Sequence, residues 1–311
     1  MAYLTKLRKG GKVYYYLAEN IRLAAGRRKQ VRKYVGTEKP SETRLQTLMA
    51  QFEEEVETEQ TKSQGRHYLT PDEITEADRI NKEFWGRYHK QTPSVREQFD
   101  QNFVMAFVYN TNSIEGSTLS PKEVELLLSE NISPNKPLDD VLEAKAAQRT
   151  LQFVKEHPGD LDEDLALKIH KMYFKDTKPK IAGQYKTHQN RVSGSRFELT
   201  PPQYVLPDMK NYFQEYQKLK KELCPLELAA WAHWKLVRIH PFQDGNGRTA
   251  RIVMNFVLNK HGYAMIDIKT KEKQQYFNAL EKCHYNNNAR ALAVRLVRRF
   301  KKQYLHALEN E

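Results

Sequence analysis

The chain has 311 residues, of which 39% are hydrophobic and 29% charged, and a formal charge of +12. That length can bury a sizeable core, in one large domain with an appendage or in two domains. No apolar run approaches the ~20 residues of a membrane-spanning helix, and residues 1–12 lack the apolar core of a signal peptide, so a cytoplasmic protein without a membrane partner is expected. The two cysteines, Cys224 and Cys283, make neither a metal-ligand spacing nor a disulfide framework. The charge is concentrated at one end: residues 1–40 hold eleven Lys or Arg against Glu19 and Glu38, a net +9, which leaves +3 for the other 271 residues.

Residues 2–36 alternate and are rich in β-formers. Gly10-Gly11 is a hairpin signal and Gly26 a second break, which predicts a three-stranded antiparallel meander. Basic and tyrosine residues interleave on it, as suits contact with nucleic acid or another polyanion; a solvated basic face with tyrosines packed on a neighbouring helix is the alternative. Pro40-Ser41 ends the strands, and residues 41–59 read as a helix followed by a polar stretch at 61–66. Residues 1–40 therefore form a basic meander, 41–95 a helical linker region and 96–311 the main domain.

Thr70-Pro71-Asp72-Glu73 starts a helix to about Tyr88, and Thr92-Pro93 another through Asn110, with Phe99, Phe103, Ala106 and Phe107 at helical spacing. Further helices are expected over 120–128, 138–156 and 162–174. Prolines and glycines interrupt residues 175–202, where Asn190 to Leu199 reads as a short hairpin around Ser193-Gly194-Ser195. Helices resume at 207–223, 225–239, 246–260, 271–284 and 289–305, so the fold class is mainly α.

The densest chemistry lies at Ile239 to Arg251, I-H-P-F-Q-D-G-N-G-R-T-A-R. A helix N-terminus presents unpaired N–H groups and a partial positive charge, which favours phosphate. Gly245 and Gly247 let the backbone approach an anion, Asn246 can add a side-chain donor, and Arg248 and Arg251 share a helix face suited to a di- or triphosphate. Asp244 beside phosphate makes most sense with a divalent cation such as Mg²⁺ between them. His240, before the helix-stopping Pro241, is suited to take a proton from a hydroxyl. Phe242 is expected to anchor the turn in the core.

Residues 240–251 match without departure the signature of the Fic (Fido) family, H-x-F-x-[D/E]-G-N-G-R-x-x-R. The resemblance extends over roughly residues 98–297, including Ala182-Gly183-Gln184-Tyr185 and the hairpin after it. It implies a helical Fic core with a β-hairpin flap, and transfer of AMP from ATP to a protein hydroxyl. On that resemblance His240 is the general base and Asp244 holds Mg²⁺. Gly245, Asn246 and Gly247 form the anion hole, and Arg248 and Arg251 bind the outer phosphates, with Tyr276 and Asn288 bordering the adenine. The flap, Val192, Ser193, Gly194, Ser195, Arg196 and Phe197, is implied to take a target segment as an added strand.

Thr111-Asn112-Ser113-Ile114-Glu115-Gly116 resembles the family's inhibitory pattern, [S/T]-x-x-x-E-[G/N], which makes residues 96–115 an N-terminal inhibitory helix. Glu115 would then compete with the γ-phosphate for Arg251. In some relatives such a glutamate helps remove AMP from a modified protein, so removal stands as the alternative, as does transfer of another nucleotide or phosphate group. A nucleic-acid-binding regulator acting through residues 1–40 is the alternative of a different class. A homodimer is a further expectation.

Overall fold

The computed structural model describes residues 2–22, 28–42, 67–190 and 199–309, together with 44–46, 48, 49, 52, 53 and 56. Two units divide at Pro71. In the first, strands β1 (Tyr3–Lys9), β2 (Lys12–Arg22) and β3 (Arg28–Gly36) form an antiparallel sheet in the order β1-β2-β3, as the alternation predicts. Gly10 and Gly11 join β1 to β2 with φ of 59° and 74°, left-handed values that a two-residue hairpin turn needs.

Alternation splits the sheet into two faces. Leu4, Leu17, Ile21, Val31 and Val35 pack with Leu45, Leu48, Met49, Phe52 and Val56, and the described residues between 42 and 56 are helical. Tyr16 pairs with Thr5 and Tyr34 on the other face, where the Tyr34 ring lies 5.4 Å from Tyr16 and 6.2 Å from Tyr14. Tyr14, Tyr16 and Tyr34 thus lie on the face turned away from that helix. Sheet and helix share one core, so the boundary expected after residue 40 falls inside a folded unit.

The second unit holds α1 (Pro71–Lys90), α2 (Pro93–Ile114), α3 (Pro121–Ser129), α4 (Leu138–Glu156), α5 (Glu163–Phe174), α6 (Pro202–Leu219), α7 (Pro225–Ile239), α8 (Asn246–Lys260), α9 (Lys273–Asn286) and α10 (Arg290–Tyr304). Side chains set three of the starts: Thr92 caps α2, Ser120 and Glu123 form a reciprocal capping box on α3, and Asp162 caps α5. One start differs from the sequence reading. Pro202, not Pro207, opens α6, because a proline at the first helical position loses no hydrogen bond, and Pro207 lies inside the helix.

At the centre runs α8, buried on every side from Arg248 to Leu258, as a helix packed by neighbours all round must be. It contacts α2, α4, α5 and α7. The buried Asn255 side chain exchanges two hydrogen bonds with the Ile266 backbone (3.0 and 2.7 Å), which pins the segment following α8. On α1, Asn81 and Trp85 each donate to the Gly262 carbonyl at 3.0 Å, and Arg87 donates to those of Tyr304 and Leu305. These bonds make α1 part of this unit, so the boundary expected at 95/96 does not separate units either. No helix among the described residues is long and apolar enough to cross a membrane. The flap residues Val192, Ser193, Gly194, Ser195, Arg196 and Phe197 lie outside the described residues.

Candidate active site

The turn between α7 and α8 carries the motif. His240 ends α7 with φ +54° and ψ +58°, a left-handed conformation that costs a non-glycine residue energy. Pro241 disfavours helical geometry in the residue before it, which is why the chain leaves the helix here. Phe242 is fully buried, its ring stacked on His170 at 3.9 Å and 4°. His170 is a support that no motif announced. Its Nδ1 accepts from Gly183 N–H (2.8 Å) and its Nε2–H donates to the Asp244 carbonyl (3.0 Å), holding the turn to the segment after α5.

The Asn246 side chain turns inward: its Oδ1 accepts from Phe242 N–H at 2.9 Å and its Nδ2 donates to the Phe242 carbonyl at 2.8 Å. Both ends of this buried side chain thus brace the turn, a role beyond the expected side-chain donor for an anion. The two glycines have different reasons. At Gly245, φ is +76° and a Cβ would lie 2.2 Å from the Phe174 ring, whereas at Gly247 it would lie 2.5 Å from Glu115 Oε1. The space that Gly247 leaves at the N-terminus of α8 is therefore filled by a carboxylate, the kind of group that position favours.

Glu115, the C-cap of α2, reaches that seat and pairs with Arg251 NH2 at 2.7 Å. Arg251 is only 2% exposed and is wrapped by the same turn: its Nε donates to Thr111 Oγ1 (2.8 Å) and its NH2 also to the Thr111 carbonyl (2.9 Å). Behind it, Tyr276 is buried, with its hydroxyl 3.5 Å from Arg251 NH1 and 2.8 Å from His233 Nε2. Tyr276 thus abuts the guanidinium. Asn288 is half-buried and accepts at Oδ1 from Arg290 N–H (3.0 Å).

Arg248 is also taken. It pairs with Glu143 on α4 and lies over the Phe174 ring at 4.7 Å. Glu143 also accepts from Lys178 Nζ at 2.9 Å, and Lys178 donates at 2.9 Å to Asp244 Oδ2, while Asp244 Oδ1 accepts from Gly245 N–H at 2.6 Å. Neither Glu143 nor Lys178 belongs to the motif. The usable signal for Glu143, as for His170, was a polar residue on the apolar stripe of its helix, among Ala147, Leu151 and Val154 in one case and Ala166, Ile169 and Tyr173 in the other.

Electrostatics sorts these groups. Burial pushes His240 down to about 4, and its Nδ1 faces the Val237 carbonyl at 3.2 Å. A carbonyl only accepts, so the hydrogen sits on Nδ1 and Nε2 is a free base near neutral pH. Burial likewise takes His170 to about 4 and His233 to about 3. Burial works to raise Glu115, but the Arg251 guanidinium outweighs it and holds the carboxyl below its ordinary value; Lys178 does the same for Asp244. Among the described residues no three His, Cys, Asp or Glu side chains could together hold a metal ion.

A neutral histidine, a helix N-terminus, two arginines and the carboxylates of Asp244 and Glu115 thus converge on one turn. Residues 160–258 match the model of the Fic/DOC family. Over that span the chain is similar to a Fic domain. Over 202 residues it is 30% identical to protein adenylyltransferase fic-1 of Caenorhabditis elegans, covering 62% of this chain and 39% of that protein. It is 29% identical over 201 residues to protein adenylyltransferase Fic of Nematostella vectensis, covering 62% and 45%. The chain therefore spans less than half the length of either relative. A Fic domain containing signaling protein from Bacteroides thetaiotaomicron superposes with a TM-score of 0.67 at 28% identity, covering 74% of this chain and 96% of that one. Fic-1 of Caenorhabditis elegans superposes with a TM-score of 0.69 at 23% identity, covering 87% and 79%, and shows the same fold.

Proposed function

We propose that the chain is a protein adenylyltransferase that moves AMP from ATP to a hydroxyl of a target protein, and that Glu115 holds it in check. The observation that carries the reading is the 2.7 Å pair between Glu115 and Arg251, made in the space that Gly247 opens. With Glu115 in place both hydrogens of Arg251 NH2 are engaged and an anion already sits at the head of α8, so a γ-phosphate must displace it. Once it does, the backbone of Gly245 to Gly247 would cradle phosphate and His240 Nε2 would take the hydroxyl proton as the oxygen attacks the α-phosphorus, with pyrophosphate leaving toward the arginines.

Asp244 fits a divalent cation in part. Its side chain is half exposed and Oδ2 already attracts a cationic group, but one carboxylate would need phosphate and water oxygens to complete the shell. Mg²⁺ there would neutralise charge on the α- and β-phosphates. A target segment would lie along residues 192–197, where backbone pairing leaves its sequence free.

Intact-protein mass spectrometry after incubation with ATP, GTP, CTP or UTP tests donor and brake together. Glu115→Gly should raise self-modification by ATP at least about tenfold, and His240→Ala should lose transfer yet still bind ATP. An unchanged Glu115→Gly rate sinks the brake, and transfer by His240→Ala removes the base. Removal of AMP is the second reading, favoured by the ionised Glu115 carboxylate bordering the phosphate seat, where it could orient a water. AMP lost from the modified protein with wild type, but not with Glu115→Gly, would establish it.

The first unit supports polyanion binding as a separate activity, because Tyr14, Tyr16 and Tyr34 cluster on the face turned away from the helix and Tyr34 is 52% exposed. Salt-dependent retention of single-stranded DNA by the full chain, weakened in Tyr16→Ala/Tyr34→Ala, is the expected result. No retention at low salt would end that reading.

A further inference from the structure

The resting site contains a cation of its own. Lys178 follows α5 in a tight turn: its N–H donates to the Phe174 carbonyl at 2.7 Å, and its own carbonyl accepts from Ile181 and Ala182, each at 3.1 Å. This turn aims the side chain back across the Phe174 ring (5.2 Å), whose edge fills the space at Gly245. The ammonium ends between two carboxylates, 2.9 Å from Glu143 Oε1 and 2.9 Å from Asp244 Oδ2. The pairs are unequal. Glu143 is 9% exposed as a residue and tied also to Arg248, while the Asp244 side chain is 50% exposed and faces the open end of the motif. Water and ions can therefore reach the Asp244 end of this bridge more readily than the Glu143 end.

We propose that Lys178 is an internal counter-cation for Asp244, which a divalent ion arriving with nucleotide has to displace. Lys178 then stays anchored on Glu143 and sets how much divalent cation the site requires. The inference rests on the reading of Asp244 as the cation ligand and adds a competitor to it. The site accordingly has two internal stand-ins for Mg²⁺-ATP: the Glu115 carboxylate in the phosphate seat and the Lys178 ammonium at the metal ligand. Each is held by a charged residue of opposite sign, and each leaves the protein's charges paired while the substrate is absent. Lys178 is on this account a positioning residue, since it acts through Asp244.

Binding of a fluorescent, non-hydrolysable ATP analogue, titrated against Mg²⁺, separates the possibilities without a catalytic readout. Lys178→Met should lower the Mg²⁺ concentration for half-maximal binding by about two- to fivefold, the range expected for a partly exposed ion pair. Lys178→Arg, which keeps the charge, should stay near wild type. Asp244→Asn should raise the midpoint, and adding Lys178→Met to it should change nothing further, the mark of action through one partner. If Lys178→Met unfolds, as thermal unfolding would report, Lys178→Gln takes its place. An unchanged midpoint in the neutral variant overturns the proposal, as does weaker analogue binding at saturating Mg²⁺, which would make Lys178 a phosphate ligand. If Asp244→Asn alone leaves the midpoint unmoved, the underlying reading of Asp244 fails instead.

Discussion

His240 illustrates how one side chain is prepared for a task. It sits in a left-handed conformation at the end of α7, donates Nδ1–H to the Val237 carbonyl and is kept neutral by burial down to about pH 4. A base that is already deprotonated at pH 6 should give a flat acid limb where an exposed histidine would not. The kcat/KM of Glu115→Gly should therefore stay level from pH 8 to about 5 and fall only toward 4, because protonation of Nε2 removes the acceptor and kcat/KM reports the free enzyme. Initial rates of self-modification across that range check it, and a decline centred near 6.5 would mean that His240 is not held neutral by its surroundings. Asp244, by contrast, is held below its ordinary value by the cationic Lys178 beside it.

The last turn of α2 is the part that carries the brake, and its placement depends on three polar side chains in a row. Asn110 donates to Asp267 Oδ2 (2.9 Å) and accepts from Thr270 N–H (2.8 Å), Thr111 holds Arg251, and Asn112 accepts from the buried Tyr173 hydroxyl (2.7 Å). Asn110→Ala should cost about 2–3 kcal/mol by leaving Asp267 and the Thr270 N–H without this partner. It should also raise self-modification less than Glu115→Gly does, as the turn frays and Glu115 loosens; thermal unfolding and mass spectrometry read the two effects, and a destabilised variant with wild-type activity would uncouple the anchor from the brake. These tertiary bonds also explain why the sequence reading ended α2 at Asn110, a turn early. Polar residues at a helix end look like an exit when their partners lie 61 to 160 residues away. Where the ends are written locally, as with Pro121 after Ser120 or Pro225 at the first position of α7, the sequence reading and the helix agree. The motif at 240–251 was legible for the same reason, being contiguous. Its outer ring of Glu143, His170 and Lys178 was not, because those residues meet the motif only through folding.

Between the units, legibility tracked charge: the basic excess of residues 1–40 marks the meander, but the hydrophobic residues of 42–56 that complete its core gave no sign of belonging to it rather than to a linker. In the helical unit the comparable hidden feature is a set of buried neutral histidines. His170, His233, His240 and His284 are lowered to about 4, 3, 4 and 4, burial being the leading cause at each, and His261 is lowered as well. In the unfolded chain these groups take up protons near 6.5. Between pH 6.5 and 4 the unfolded state therefore binds more protons than the native one, and stability falls as pH drops through that window. Each histidine contributes a slope of about 1.4 kcal/mol per pH unit where it is fully in play. Asp267, raised by burial, opposes the trend with a single proton at the acid end. The unfolding temperature should thus be nearly level from pH 8 to 7 and fall steeply below about 6, before the depressed carboxylates begin to protonate. Replacing His170, whose two bonds hold the motif turn, by Asn should make that acid slope shallower by close to one proton; an acid slope unchanged in His170→Asn would mean that His170 takes up no extra proton when the chain unfolds.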